Sequence, residues 1–385
     1  MRLNRLVLEN FRSYAAAELL PDERLTIVAG PNGAGKTNLL ESIHVTITGR
    51  SHRAGTEGEL VRHGAPWGRV RLDVAAERGE TARIELFLPG QGAEPGLRKR
   101  LTLNGVARRT STVGEVARAV LFRPEEMLLL VGPPSERRRF LDSIIAQRDR
   151  RLARELTELS RVLAQRNALL RAIRREETTP AGLPFWDERL ATLGGSVTAA
   201  RLALVAELAE RLRPLHAAVA PAGEAGQAVR LAYLDSLKEA WDRGSNDAGA
   251  LAEAYRRRIG EVRQKELWNG VSLVGPQRDD LRVELNGRDV AEHASRGQQR
   301  TLILALKLAE TELLGEGGPR PIVLLDDIFS ELDALRTERA LALLLERGQV
   351  LVTMADLAVL SAPRRRGVPV WMVGDGSLAL APRVA

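Results

Sequence analysis

The chain has 385 residues, 44% of them hydrophobic, a formal charge of +7 and no cysteine. That length and apolar content give two or three compact units, and the lack of cysteine excludes disulfides, thiolate catalysis and Cys-based zinc sites. No run of about 18 uncharged apolar residues offers a membrane span, and Arg2, Arg5, Glu9 and Arg12 break up the N-terminus, so the expectation is a cytoplasmic protein without a membrane partner.

The first informative stretch is "RLTIVAGPNGAGKTNLLESIHVTITG". Leu25 to Ala29 have the length and apolarity of a buried strand, and Leu39, Leu40, Ile43 and Ile47 recur at helical spacing. Between them, Gly30 to Thr37 match G-x-x-x-x-G-K-[ST], the loop that cradles nucleotide phosphates. Glycines let backbone N–H groups curl round a β-phosphate, Lys36 reaches the β and γ oxygens, and the Thr37 hydroxyl ligates Mg²⁺. The candidate nucleotide-binding residues here are Gly30, Pro31, Asn32, Gly33, Ala34, Gly35, Lys36, Thr37 and Asn38.

After this helix, residues 68–90 and "KRLTLNGVARR" read as hairpins, the second turning at Asn104-Gly105. The region from 135 to 266 is helical and strand-poor, with Pro180, Pro184, Pro214 and Pro221 as breaks. Leu152, Leu156, Leu159, Leu163, Leu170 and Ile173 follow a heptad-like spacing broken where Arg166 takes an apolar place. Residues 135–177 hold 12 arginines against 7 acidic residues, a local excess of +5 that suits a DNA backbone as well as a solvated helix face. No aromatic platform for stacking unpaired bases is legible. "LRVELNGRDV" repeats the hairpin signature at Asn286-Gly287. The expected organisation is therefore 1–134 and 267–385 as two halves of one α/β nucleotide-binding unit, split by a helical insert at 135–266. None of the five histidines shows metal-ligand spacing.

"SRGQQRTLILALKLAE" then places Ser295 as the N-cap of an apolar helix. One chain has one phosphate loop, so this second anion-binding helix start, with Ser295, Gly297 and Gln298, fits a nucleotide held by a second identical chain; read in isolation, it is an ordinary capped helix. Lastly, Ile322 to Leu325 form a buried strand ending in Asp326, placed on the Mg²⁺ side, and Asp327, placed to polarise a water. Lys36, Asp327 and, across the dimer, Ser295 are the candidate catalytic residues; Thr37 and Asp326 are the candidate metal ligands.

The order "ENFRSY", "GPNGAGKTNLLESIH", "SRGQQR", "LLDDIFSELD" resembles the ABC-type ATPase heads of chromosome maintenance and DNA repair. With "GRSHR", "LFRPEEMLLLVGPPSERRRFLD", "RVLAQRN" and "GPQRDDL", it is similar to the bacterial RecF family from Met1 to about Asp356. The resemblance implies an ABC head with an antiparallel β subdomain and a helical arm. It assigns "SRGQQ" as the signature and Ser330 to Asp333 as the interface D-loop, sets Arg12, Ser13, His52 and Arg53 near nucleotide or DNA, and implies ATP, Mg²⁺, an ATP-dependent homodimer, duplex or gapped DNA, and RecR- and RecO-type partners. The chain departs from the wider ABC class in having Asp327 rather than Glu, Thr353 and Met354 where a switch histidine stands, and no glutamine in the Q-loop region, so turnover is expected to be slow. A transporter nucleotide subunit, which needs those groups and a signature about a hundred residues after the phosphate loop, does not match. A structural SMC-like linker needs a longer arm, since even a 40-residue helix spans only about 60 Å.

Overall fold

The computed structural model describes residues 1–75, 79–94, 96–237, 246–357, 367–374 and 376–381. These divide into two compact units, Met1–Met127 with Leu215–Gly226 and Arg296–Ala385, and Leu128–Pro214 with Gln227–Ser295. The sequence placed the insert limits at 135 and 266.

In the first unit, strands β1 (Arg2–Phe11) and β2 (Tyr14–Leu19) precede β3 (Leu25–Ala29), helix α1 (Lys36–Thr48), β4 (Trp67–Ala75) and β5 (Thr81–Pro89). Then come β6 (Arg100–Leu103), β7 (Val106–Ala107), the single turn α2 (Thr110–Val113) and β8 (Ala119–Phe122). The second unit holds α3 (Leu128–Val131), α4 (Pro134–Arg148), α5 (Arg150–Arg174), most of α6 (Leu183–Val219), β9 (Val229–Leu234), α7 (Ala248–Asn269), β10 (Asp280–Leu285), β11 (Arg288–Asp289) and α8 (Val290–His293). The first unit resumes with α9 (Arg296–Gly315), β12 (Ile322–Asp326), α10 (Ala334–Arg347), β13 (Gln349–Met354), β14 (Val370–Gly374) and β15 (Ser377–Leu380).

Two six-stranded sheets build the first unit. The antiparallel one runs β2-β1-β4-β5-β6-β7, and its alternating apolar positions, such as Val70, Leu72 and Val74, face the core. The other runs β15-β14-β3-β13-β12-β8, with β14, β3, β13, β12 and β8 parallel. Every residue of β3, β12 and β13 is buried, as a sheet covered on both faces requires. Helix α1 packs against strands of both sheets through Leu39, Leu40 and Ile43, which are 0–1% exposed. The two Asn-Gly turns form as expected, with positive φ at Asn104, Gly105, Asn286 and Gly287. The turn of the 68–90 hairpin, at 76–78, lies outside the described residues.

The second unit corrects three sequence readings. Pro214 does not break the helix but sits inside α6, whose Leu208, Leu212, Leu215 and Val219 stay buried along one face and hold it together despite the lost hydrogen bond. Arg166 does not interrupt the buried stripe of α5; it is itself fully buried among Leu159, Val162 and Leu170. The insert is also not purely helical, since β9 pairs antiparallel with β10 from Val229–Leu285 to Leu234–Asp280. By length and composition α6 could cross a membrane, which the search for an uncharged apolar run did not register. Its Leu190, Val197, Leu204 and Leu208 are buried in the fold.

Candidate nucleotide site

Three parallel strands end side by side and set up the site. Asp326 of β12 pairs with Thr353 of β13, and Thr353 pairs with Val28 of β3, so the phosphate loop and the acidic strand end lie two strands apart, about 10 Å. The loop follows Ala29 and feeds directly into α1, whose Gly35 N-cap contributes no side chain and whose first turn carries no acid. Its backbone N–H groups are thus left to an anion.

Glycine is needed here for two separate reasons. Gly35 has φ 113°, and a Cβ there would stand 2.7 Å from Ser13 Oγ and 3.2 Å from Tyr14 Oη. Gly30 packs so closely on β14 that a Cβ would lie 2.3 Å from the Val373 carbonyl oxygen. Pro31, Asn32 and Gly33 are exposed and Ala34 is half-buried. Lys36 is 6% exposed, and its Nζ donates to the Gly30 carbonyl at 2.7 Å and the Pro31 carbonyl at 2.9 Å, which holds the ammonium inside the loop's curve.

Thr37 Oγ1 donates to Asp326 Oδ1 at 3.0 Å, joining residues 289 positions apart in the chain. Asp326 is 7% exposed and accepts a second bond from Thr353 Oγ1 at 2.8 Å. Thr353 in turn accepts from the Asp327 N–H at 3.0 Å, with Asp327 in the left-handed region at φ 50°. A hydroxyl and a carboxylate converging at the end of α1 form a hard-oxygen set that fits Mg²⁺.

The "NFRSY" turn is packed on the loop from the other side. Tyr14 Oη donates to the Gly35 carbonyl at 3.0 Å, and Asn38 Nδ2 donates to Ser13 Oγ at 3.0 Å. Arg12 forks onto the buried Glu41 carboxylate at 2.9 and 3.0 Å, and Ser51 Oγ donates to the same carboxylate at 2.5 Å. Arg53 reaches Asn38 Oδ1 at 3.3 Å. His44 and His52 meet edge to face at 6.0 Å. Burial, then for His52 the cations Arg123, Arg53 and Arg12 and for His44 its neighbour His52 with Lys307 and Arg123, pushes both down to about 3, so both are neutral at physiological pH.

Ser295 is exposed immediately before α9, at the capping position expected for it, and Gly297 and Gln298 are half-buried in the first turn. That turn is fixed from below. Thr301 Oγ1 lies 3.1 Å from both the Gly297 carbonyl and Glu224 Oε2, and Arg336 donates to Thr301 at 3.0 Å and to Glu224 at 3.1 Å. Arg336 also pairs with Asp333, which caps α10 by accepting from the Arg336 N–H at 2.9 Å. One arginine therefore ties the "SELD" segment to the start of α9; the Glu331 side chain lies outside the described residues. In the segment "LFRPEE", Glu126 pairs with Arg123 at 3.2 Å and lies 3.8 Å from Lys307 of α9.

Sequence reasoning missed Tyr14, Glu41, Thr353, Glu224 and Arg336. Only Thr353 left a trace, a lone polar residue in "QVLVTM" at the level of Asp326.

The model of the RecF/RecN/SMC N terminal domain matches residues 2–368. The DNA replication and repair protein RecF of Chloroflexus aggregans is 36% identical over 397 residues, covering 98% of this chain and 99% of the relative. Two solved structures of the recombination mediator protein RecF in the RecFOR pathway superimpose on nearly the whole chain. The RecF-ATPrS structure has a TM-score of 0.88 at 27% identity, covering 99% of this chain and 98% of its own. The RecF-ATP structure has a TM-score of 0.87 at 28% identity, covering 99% and 97%. The match spans the phosphate loop, the insert and the acidic strand alike, and the chain belongs to the RecF family of ABC-type ATPases.

Proposed function

We propose that this chain binds ATP with Mg²⁺, that ATP closes a symmetric homodimer, and that the dimer grips duplex or gapped DNA during replication and recombinational repair until slow hydrolysis releases it. The observation that carries the reading is the 3.0 Å bond from Thr37 Oγ1 to Asp326 Oδ1, which sets the phosphate loop against the metal-side carboxylate. Thr37 and Asp326 hold the ion, whose charge offsets that of the phosphates. Lys36 and the loop from Gly30 to Asn38 hold the phosphates, with Arg12 and Ser13 packed alongside. Asp327 orients the water, and Ser295, Gly297 and Gln298 meet the γ-phosphate of the partner's nucleotide. The related RecF structures carry ATP in their names and belong to the RecFOR pathway, which supports ATP as ligand and RecO- and RecR-type proteins as partners in the cytoplasm. A purely bridging SMC-like role is less well supported, because α5, α6 and α7 are short helices within one compact unit.

The test is the solution mass of the native protein and of Ser295→Arg, with ATP, Mg²⁺ and labelled duplex DNA. The native mass doubles with ATP and the protein binds DNA, whereas the variant binds ATP and stays monomeric. If both stay monomeric and bind DNA equally, the clamp is wrong.

A further inference from the structure

The arm's positive charge is not all available, and the structure separates what is spent from what is free. Along α4 and α5, Arg137 pairs with Asp280, Arg139 with Glu136, Arg148 with Glu207, Arg151 with Glu155, and the buried Arg166 with Glu266 and Asp187. Arg154, Arg161 and Arg171 are exposed, and no ion pair among the described residues holds them. At 100° per residue the three fall within about 100° of arc on α5, over a length of about 25 Å. The exposed positions between them on that face are Thr157, Ala164, Gln165 and Ala168, with no acid. The two acids of α5, Glu155 and Glu158, are neutralised by Arg151 and Arg189.

This face ends at an aromatic ring. Arg174 donates to the Asn269 carbonyl at 3.3 Å, and Gly270 packs against both Arg171 and Arg174, so the C-terminal end of α7 abuts the end of α5. There Trp268 is 83% exposed, an unusual position for the largest apolar side chain. Three unpaired guanidinium groups in line fit a phosphate backbone, and a solvent-facing indole beside the last of them fits a base free to leave the stack. A duplex offers such a ring no base face. We infer that the outward face of α5, from Arg154 through Arg161 and Arg171 to Trp268, is a track for single-stranded DNA, which names the part of a gapped substrate that the arm takes. The inference rests on the DNA-binding reading above, and it revises the view from sequence that the arm has no stacking platform.

The experiment measures fluorescence anisotropy of the full chain with ATP and Mg²⁺ against oligo-dT, gapped duplex and blunt duplex, across a salt series. Trp268→Ala weakens oligo-dT and gapped DNA about 5-fold or more, the loss of one stacked base, and leaves blunt duplex within 2-fold. The triple variant Arg154→Gln, Arg161→Gln, Arg171→Gln weakens oligo-dT at least tenfold and lowers its log–log salt slope by about 2. All four side chains are on the surface, so folding is not at stake. If both variants bind oligo-dT and gapped DNA like the parent, the face serves a protein partner and the inference is overturned. Equal loss on blunt duplex from Trp268→Ala overturns the single-strand assignment. A parent that binds none of the three probes removes the DNA-binding reading itself, and the track with it.

Discussion

Arg166→Met tests whether the buried arginine anchors the helical unit. Arg166 and the Glu266 side chain are both 0% exposed, and their N–O distance is 2.6 Å. Arg166 also donates to Asp187 at 2.9 Å and to Ser272 Oγ at 2.6 Å, while Glu266 accepts from the Leu273 N–H at 2.8 Å. Removing the guanidinium leaves Asp187 paired with Arg263 but strands a buried carboxylate with the backbone donor. Breaking a buried pair from one side costs about 3–5 kcal/mol, most of it the uncompensated charge. The double variant Arg166→Met with Glu266→Gln removes that charge and keeps an acceptor for Leu273, so it recovers at least about half the loss. Two units unfold in one chain, so the measurement is hydrogen exchange at the α7 amides around Glu266, which reports the local opening free energy. A cost under about 1 kcal/mol for the single variant, or a double variant worse than the single, refutes the reasoning.

Three further outcomes follow from the nucleotide-binding unit. Gly35→Ala, whose Cβ would meet Ser13 and Tyr14, weakens binding of a fluorescent ATP analogue at least tenfold, whereas Gly33→Ala, with nothing within 4 Å, costs only the backbone strain of about 1 kcal/mol; equal effects would remove the packing argument. His44 and His52 are held at about 3 in the fold against about 6.5 when unfolded, so the unfolded chain binds more protons between those values and stability falls as pH drops from 6.5 towards 3. His44→Gln with His52→Gln flattens that part of the denaturation-midpoint profile, and an unchanged slope counts against it. Arg336→Ala frees the first turn of α9 and weakens the ATP-dependent dimer, read by equilibrium sedimentation, while ATP binding by the monomer is unchanged; loss of ATP binding as well would place Arg336 elsewhere in the mechanism.

The parts of this molecule that announce themselves in sequence are those governed by local rules. The phosphate loop needs glycine at fixed steps because its φ values are positive, and the hairpins need Asn-Gly for the same reason. The apolar runs of β3 and β12 follow from burial on both faces. Long-range pairings leave no such mark. Nothing near Arg166 foretells Glu266, a hundred positions on, so a charge at a heptad position reads as a break until its partner is seen. Pro214 reads as a stop because its cost is local, while the burial that outweighs it is not. Trp268 carries the opposite error: an aromatic near Leu residues reads as core, and only the end of α7 shows it facing solvent.

Thr353 bears on how fast such a site can work. Where a switch histidine would stand, its hydroxyl donates to Asp326 at 2.8 Å and accepts from the Asp327 N–H at 3.0 Å. An imidazole at that place changes charge near neutral pH and can pass a proton; a threonine hydroxyl does neither and contributes only orientation. The two histidines close to the loop are held neutral, and His44 faces His52 rather than the acidic strand end. Proton handling at the water then falls to Asp327, with its short side chain on a left-handed backbone that Thr353 fixes in place. A site with firm phosphate and metal contacts and so little acid–base machinery favours keeping ATP over consuming it, which is the property a clamp needs.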